Sequence, residues 1–206
     1  MRKGEIHMDK QVIISIGREF GSGGHVIAKA IADRMNLPYY NHEILNNIAK
    51  EMNVDPKTLA EFEEKRHSSF FSRTVRGYNN SPEEQIAQLQ FDYLRKKAAS
   101  GESFVVVGRC AESVLSEYPG LISIFVLADR DAKIKRTASC ENITEKEAEV
   151  MMLTHDKYRK AYHNHYANMK WGDSRLYDMC INSTRLGIEK TTDVLFDYFQ
   201  RRFADM

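Results

Sequence analysis

A glycine-rich stretch near residue 20 carries the residue types and the spacing that could do chemistry. Residues 17–25 read GREFGSGGH, after an apolar run and before a segment of helical periodicity at 26–32. Glycines allow positive φ and let backbone N–H groups approach an anion closely, and the start of a helix adds the positive end of its dipole. A strand, a glycine turn and a helix in this order predict that an anion such as phosphate binds at residues 21–25. A tight turn without a ligand is the alternative.

This stretch lacks the lysine that usually completes a phosphate site. In the pattern GxxxxGK[ST], the lysine contacts the β- and γ-phosphates and the hydroxyl binds magnesium. Here the lysine position falls on Gly24 and the hydroxyl position on His25. A cation must therefore come from elsewhere, and we favour Arg18 over His25 because a guanidinium stays charged across physiological pH. Glu19 could pair with Arg18 or serve magnesium.

Five short apolar runs predict the strands that must position this loop, at residues 12–16, 38–40, 104–107, 122–127 and 179–181. Helical periodicity predicts helices between and after them, at residues 27–35, 44–52, 82–99, 145–165 and 188–203. Strands that alternate with helices imply parallel pairing and a sheet that is covered on both faces. The predicted fold is a three-layer α/β/α domain with a five-stranded parallel sheet at residues 11–206, behind an N-terminal tail at 1–10.

Composition argues against several classes of protein. Lys and Arg total 30 against 29 Asp and Glu, so the charge balance does not favour a nucleic-acid partner. The three cysteines lie far apart, which argues against a disulfide framework or a zinc site. No apolar run approaches the roughly 18 residues of a membrane span. We expect a cytoplasmic protein that binds neither nucleic acid nor membranes.

Motifs spread over most of the chain are shared with one known family. They are GREFGSGG, LPYYNHEIL, VVVGRCAESVL at 105–115, IFVLADRDAKIKR at 124–136, DKYRKAYHNHY at 156–166 and WGDSRLYDMCINSTRLGIE at 171–189. The sequence thereby resembles the cytidylate kinase-like family, a branch of the P-loop nucleoside monophosphate kinases. The resemblance implies a P-loop NTPase-like sheet with a flap for the monophosphate near residues 53–80 and a lid near 129–172. It also implies phosphoryl transfer from ATP to a pyrimidine nucleotide such as CMP, with Mg²⁺.

The resemblance also implies roles for individual residues, to which we add Arg18 and His25 from their places in the glycine-rich stretch. Those that would hold the triphosphate are Gly21, Ser22, Gly23, Gly24, His25 and Arg136. Those that would bind the acceptor are Asn41, Arg109 and Lys157. The cations that would act on the transferring phosphoryl group are Arg18, Arg109 and Arg159. No protein ligand for a metal is predicted, and an ion pair with Glu112 is the alternative role for Arg109.

Four positions depart from authentic cytidylate kinases. Gly24 replaces the loop lysine, Val107 the acidic residue before GR, Cys110 the aspartate of GRD, and Asn41 the aspartate after the second strand. We interpret Cys110 as a small buried filler rather than a nucleophile. The changes leave two functions open. One is a phosphotransferase, which we favour because two charged flaps beside a phosphate loop suit a transfer reaction; the other is a nucleotide- or phosphate-sensing protein of the same fold without efficient chemistry.

The lid segment is rich in histidine and tyrosine. Its histidines include His155, His163 and His165, and its regularly spaced tyrosines are Tyr158, Tyr162 and Tyr166. An i, i+2 spacing directs two rings of a helix apart, and the neighbouring basic residues would repel a cation. We therefore predict a solvated basic lid instead of a metal site, with the tyrosines as a packing stripe. Both charged segments, 53–80 and 129–172, are expected to move relative to the sheet.

Overall fold

A five-stranded sheet positions the glycine-rich stretch. The computed structural model describes residues 10–41, 43–52 and 82–204. Its strands are β1 (Ile13–Arg18), β2 (Tyr39–Tyr40), β3 (Phe104–Val107), β4 (Leu121–Leu127) and β5 (Met179–Asn182). They pair in the order β2-β3-β1-β4-β5, and every pairing is parallel. The predicted α/β fold is confirmed, with strand boundaries within two residues of those expected.

The described residues contain seven α-helices. They are α1 (Gly24–Met35), α2 (Ile44–Met52), α3 (Pro82–Ala99), α4 (Ala111–Val114), α5 (Arg130–Glu141), α6 (Glu145–Tyr166) and α7 (Ser183–Ala204). All five predicted helices are present. Sequence periodicity missed α4, which has only four residues, and α5, whose buried positions are few and include the charged Lys133. The lid segment therefore consists mainly of two helices, α5 and α6.

Two apolar cores, one on each face of the sheet, produce the three layers. Successive residues of a strand point to opposite faces, so Ile13 packs on one side while Ile14 and Ile16 pack on the other. The core against α1 and α7 includes Ile27, Ile31, Leu195 and Phe199. The core against α2 and α3 includes Ile48, Leu94, Phe104 and Leu115. Helices on both faces explain why the central strands are apolar without alternation.

The register of β1 determines which loops meet. Ile16 lies opposite Val107 of β3 and Ile124 of β4, and Arg18 lies opposite Val126. Because the carboxyl ends of parallel strands share one edge of the sheet, the segments that follow β1, β3 and β4 come together there. Open α/β sheets bind ligands at this edge, so the edge is where a site is expected.

Some predictions cannot be compared with the fold. The flap at residues 53–80 and nearly all of the N-terminal tail lie outside the described residues, and the single-domain boundary at 11–206 stays a prediction. Among the residues that are described, none of the helices has the length and apolarity needed to cross a membrane.

Candidate functional site

The glycine loop, residues 18–24, joins β1 to α1 through two residues of positive φ. Gly21 has φ of 72° and Gly23 has φ of 82°, a region that glycine adopts without steric strain. Neighbouring side chains also leave no room for a larger residue. A Cβ on Gly21 would lie 2.8 Å from Thr137 Oγ1, and a Cβ on Gly23 would overlap Ile188. Conformation and space together require glycine at both positions.

The loop presents the start of α1 to the edge of the sheet. The N-cap is Gly23, which offers no side chain to the first turn, and the first i→i−4 bond runs from Ile27 N–H to the Gly23 carbonyl at 3.0 Å. The N–H groups before Ile27 have no intrahelical partner. Two buried serines hold the loop: Ser22 Oγ donates to the Glu19 carbonyl at 2.8 Å, and Ser183 Oγ donates to the Ser22 carbonyl at 2.6 Å. This arrangement suits an anion at the helix start.

Arg18 fills the space that a side chain at position 24 would need. A Cβ on Gly24 would lie 2.6 Å from Arg18 Cβ and 3.1 Å from Arg18 Cγ. A Cβ on Gly108 would overlap the Arg18 guanidinium. The Arg18 side chain therefore runs from the end of β1 across Gly24 to the turn that follows β3.

Three guanidinium groups line one cavity of about 50 Å³ beside the glycine loop, those of Arg18, Arg109 and Arg159. A water needs roughly 10–15 Å³ of such volume, so the cavity has room for about three to five small atoms, the size of a phosphoryl group. Burial, with Arg159 and Arg109 as further causes, lowers the pKa of Arg18 to about 9. Burial also lowers the pKa of Arg159. An anion in the cavity would relieve this cost.

The turn that carries Arg109 is left-handed over three residues. Gly108, Arg109 and Cys110 have φ of 71°, 60° and 51°. Arg109 Nη1 donates to Oε1 of the buried Gln90 at 3.1 Å. Glu112 contacts His163 and Ser15 in this structure, and the role of Arg109 stays a prediction. Cys110 is 2% exposed, so its predicted burial is confirmed.

We expect the unusual backbone at Arg109 to reverse the normal stability order of alanine and glycine. A non-glycine residue in the left-handed region costs roughly 1–2 kcal/mol. The free energy of unfolding of Arg109→Gly, measured with urea, should therefore exceed that of Arg109→Ala by about 1 kcal/mol. Both variants remove the guanidinium, so their difference reports the backbone alone. The same pair at Lys29, an exposed position inside α1, should show alanine as the more stable residue. Equal stabilities at position 109 would contradict the strain.

Helix α6 docks on the glycine loop through Asp156. The Phe20 N–H donates to Asp156 Oδ1 at 2.7 Å, and the His155 ring stacks on the Phe20 ring with centroids 4.4 Å apart. Arg159 also lies over the Phe20 ring, with its Cζ 5.3 Å from the ring centroid. The pKa of Asp156 is raised, mainly by burial. The lid segment therefore lies against the loop in this structure, with an internal carboxylate on a loop amide.

A buried lysine, Lys133, also reaches the loop. Its Nζ lies 2.9 Å from Glu19 Oε2 and 3.9 Å from Asp156 Oδ2, and its side chain is 10% exposed. Glu19 Oε2 accepts a further bond from Ala128 N–H at 3.2 Å. Glu19 thus pairs with Lys133 and not with Arg18. Sequence inspection missed Lys133 because it lies more than a hundred residues from the loop in a segment with no phosphate-site pattern.

Removing the Asp156 carboxylate is expected to loosen the docked lid. A hydrogen bond to a charged group contributes about 1.5–3 kcal/mol, so Asp156→Ala should speed hydrogen exchange of the Phe20 amide at least about tenfold. Amides of α6 near residue 156 should also exchange faster. Asp156→Asn is the matched control, since it keeps an acceptor oxygen and should show a smaller change. Unchanged exchange in Asp156→Ala would mean that packing alone holds the helix.

The remaining predicted residues occupy different places. Arg136 Nη1 donates to the Gly21 carbonyl, which brings it to the loop. His25 is exposed, and its Nδ1 lies 2.8 Å from Tyr39 Oη, whose pKa burial raises to about 12. Asn41 Oδ1 accepts from Glu43 N–H at 2.8 Å, ahead of α2. Lys157 is exposed on α6.

The prediction of a solvated lid is wrong for His163. This residue is 4% exposed and its Nε2 lies 2.8 Å from Glu112 Oε1. The i, i+2 argument holds, since His165 is exposed and contacts Glu84 instead. The packing stripe is confirmed for Tyr162 and Tyr166, which pack against a small core.

Comparison with known proteins agrees with this geometry. The model of the cytidylate kinase-like family matches residues 13–185. The chain belongs to the cytidylate kinase-like family. Family membership and a fold shared with kinases support a nucleotide kinase-like function.

Individual relatives of this family member are distant in sequence. The cytidylate kinase of Halobacterium salinarum is 23% identical over 190 residues, which cover 90% of this chain and 88% of that protein. The cytidylate kinase of Methanocaldococcus jannaschii is 24% identical over 188 residues, which cover 89% and 95%. An uncharacterized protein from Eubacterium ventriosum of known crystal structure is 42% identical, with a TM-score of 0.74 over 92% of this chain and 99% of that one. Shikimate kinase from Bacteroides thetaiotaomicron shares the fold, at 14% identity and a TM-score of 0.55, over 92% and 98%.

The described carboxylates near the cavity do not form a metal-binding cluster. Among the described residues, no group of three or more His, Cys, Asp or Glu side chains could hold a metal ion. The nearby carboxylates are already engaged: Glu19 by Lys133, Glu112 by His163, and Asp156 by the Phe20 amide. Magnesium commonly binds through substrate phosphates with few protein ligands. The expectation that no protein residue is a metal ligand stays a prediction.

Proposed function

We propose that this protein is a nucleoside monophosphate kinase-like phosphotransferase. It transfers a phosphoryl group from ATP to a pyrimidine nucleotide resembling CMP, or to another small anionic acceptor. One observation carries the proposal: guanidinium groups from the end of β1, the turn after β3 and helix α6 line a single phosphoryl-sized cavity beside the glycine loop. Asp156 lies 3.6 Å from Arg159, whereas burial and the neighbouring arginines disfavour the charged form of Arg18. An anionic ligand in the cavity would offset that cost.

The roles of the residues follow from the demands of phosphoryl transfer, which needs positioning and positive charge more than covalent help. The backbone of residues 21–25 holds the donor's phosphates at the start of α1, and Arg136 lies beside Gly21 at the donor side. Arg18 spans the distance from Gly24 to Gly108 and so lies between donor and acceptor. Arg109 binds the acceptor's anionic group, and Arg159 covers the transferring phosphoryl group from α6. ATP supplies that group, with Mg²⁺ carried on its phosphates.

A nucleotide-sensing protein without efficient chemistry is the second candidate. Two observations favour it: Gly24 removes the loop lysine, and the described carboxylates near the cavity are engaged by internal partners. Such a protein would bind nucleotide at the glycine loop with the same arginines. It would release ADP no faster with an acceptor than without one.

A coupled ADP-release assay separates the two candidates. The panel contains nucleoside monophosphates, nucleosides and small phosphorylatable metabolites, each with and without magnesium, beside a direct measurement of nucleotide binding. Acceptor-dependent release of ADP that Arg159→Ala abolishes supports the enzyme. Arg201→Ala removes an exposed arginine of α7 and is the control for net charge. Nucleotide binding without acceptor-dependent turnover would support the sensing protein, and the absence of both would overturn the proposal.

A further inference from the structure

A buried histidine–glutamate pair lines the cavity that is also lined by the three arginines. The side chains of His163 and Glu112 are 5% and 2% exposed, and both residues line the cavity together with Arg18, Arg109 and Arg159. His163 Nε2 lies 2.8 Å from Glu112 Oε1, and Ser15 Oγ donates to Glu112 Oε2 at 3.3 Å. Burying such a pair is weak evidence for added stability, because the desolvation cost offsets the attraction. The His163–Glu112 pair is therefore a candidate for a functional role.

The partners of Glu112 determine what His163 presents. A carboxylate that accepts a bond from Ser15 on one oxygen accepts a bond from the imidazole on the other, so Nε2 carries the hydrogen. In the neutral imidazole, Nδ1 is then an acceptor with a free lone pair. Nδ1 is buried and has no hydrogen-bond partner among the residues that the structure describes. Buried polar atoms are nearly always bonded, so an unpartnered nitrogen in a cavity wall points to a ligand.

The other titratable groups at this cavity do not provide a nitrogen base. They are Arg18, Arg109, Arg159, Cys110, Tyr162 and Tyr177. The three arginines have no lone pair to offer, and the pKa of Tyr177 is raised by burial, so its hydroxyl keeps its proton. His163 is the one residue of this lining whose side chain can act as a nitrogen base. It lines the same cavity as the three arginines, where we expect an anionic substrate.

We propose that His163 is the general base of the phosphoryl transfer and that the acceptor's nucleophile is a hydroxyl on a small anionic molecule. The inference rests on the proposed function. A phosphate monoester has a second pKa near 6, so its oxygen attacks at neutral pH without a base, whereas an alcohol must lose a proton. Glu112 is the positioning residue that fixes the tautomer.

The acceptor oxygen forms a bond to the γ-phosphorus, and the bond from that phosphorus to the β,γ-bridging oxygen breaks, with its electron pair leaving on the nucleoside diphosphate. The acceptor's hydroxyl proton moves to His163 Nδ1 and is later released to solvent. Arg109 holds the anionic group of the acceptor, which keeps the hydroxyl near the imidazole.

The test compares acceptor classes and histidine variants in the full chain. Wild-type protein, His163→Gln and Glu112→Gln are assayed with ATP against nucleoside monophosphates and against anionic alcohols such as hydroxy acids and sugar phosphates. Transfer to an alcohol should dominate, and His163→Gln should lower its kcat at least about a hundredfold with the KM for ATP unchanged. The acid limb of the wild-type pH–kcat profile should disappear in this variant, and added imidazole should restore part of the rate to His163→Ala. His165→Gln is the matched control, two residues away and exposed.

A second measurement uses only the wild-type protein and requires no turnover. Nitrogen-15 spectra of histidine-labelled wild-type protein should show His163 as the Nε2–H tautomer with an unprotonated Nδ1. A proton on Nδ1 at neutral pH would overturn the inference. Efficient transfer to a nucleoside monophosphate, at a rate that His163→Gln leaves unchanged, would also overturn the inference. The proposed phosphotransferase function would still hold in that case. If the wild-type protein turned over no acceptor at all, both the inference and the proposed phosphotransferase function would be overturned.

Discussion

Arg18→Ala is expected to weaken nucleoside triphosphate binding, or turnover, at least about tenfold, which corresponds to about 1.4 kcal/mol. The side chain runs from Gly24 to Gly108 in a loop that lacks the usual lysine, so we expect its guanidinium to supply the missing positive charge. A charge-assisted hydrogen bond to phosphate contributes about this much. Calorimetry with an unhydrolysed ATP analogue measures the affinity, and the ADP-release assay measures the rate.

The same substitution should leave the melting temperature of the ligand-free protein unchanged or slightly raised. Burial, Arg159 and Arg109 all disfavour the charged form of Arg18, so its removal relieves repulsion. Arg175→Ala removes an exposed guanidinium that pairs with Asp173, and it serves as the control for net charge. A variant with normal affinity and rate would exclude Arg18 from the site. A variant that unfolds would assign it a structural role.

Triphosphate binding by the wild-type protein should also depend on pH in the alkaline range. Burial and the neighbouring Arg159 and Arg109 lower the pKa of Arg18 from its ordinary value to about 9 in the ligand-free protein. Below pH 9 the group is charged with or without ligand, so it adds no pH dependence. Above pH 9 binding takes up a proton, and affinity should fall by up to about tenfold per pH unit. Arg18→Ala should lack this fall. For folding the sign is opposite: the unfolded state holds the proton more tightly, so this group makes stability rise as the pH increases above about 9.

Restoring the usual lysine by Gly24→Lys is expected to destabilise the protein and abolish turnover. Its Cβ would lie 2.6 Å from Arg18 Cβ, closer than real Cβ contacts. Overpacking of this kind typically costs about 1–3 kcal/mol. The lysine would also force the Arg18 guanidinium away from Gly108. Urea unfolding and the ADP-release assay measure the two effects.

A double-mutant cycle identifies the cause of this loss. Arg18→Ala keeps the Cβ that clashes, so it should rescue Gly24→Lys poorly, whereas Arg18→Gly removes the clash and should recover most of the stability. The lysine then supplies the charge from the helix, and nucleotide affinity should return in part. We expect a coupling free energy of about 1–3 kcal/mol between positions 18 and 24. Additive effects would mean that the two side chains do not compete for one place.

The fold was largely predictable from the sequence because its signals are local. Apolar runs such as 104–107 are typical of strands that are buried on both faces. The glycines at 21 and 23 mark left-handed backbone that other residues rarely adopt. Helix periodicity predicted α1, α2, α3, α6 and α7. Helix α5 was missed because three of its twelve residues are buried and one of these is a lysine.

The candidate site was only partly predictable, for a different reason. The sequence indicated Arg18, Arg109 and Arg159 as separate cations, but only the parallel register of β1 with β3 and the docking of α6 bring them to one cavity. Tertiary structure alone decided the pairing of Glu19 with Lys133 and of Glu112 with His163, since each pair is separated by 114 and 51 residues respectively. Burial decided the rest: a histidine that looks like part of a solvated basic helix lies 4% exposed against a carboxylate. Local patterns specify where the backbone turns, whereas the charge and hydrogen bonding of a side chain depend on the distant groups that pack against it.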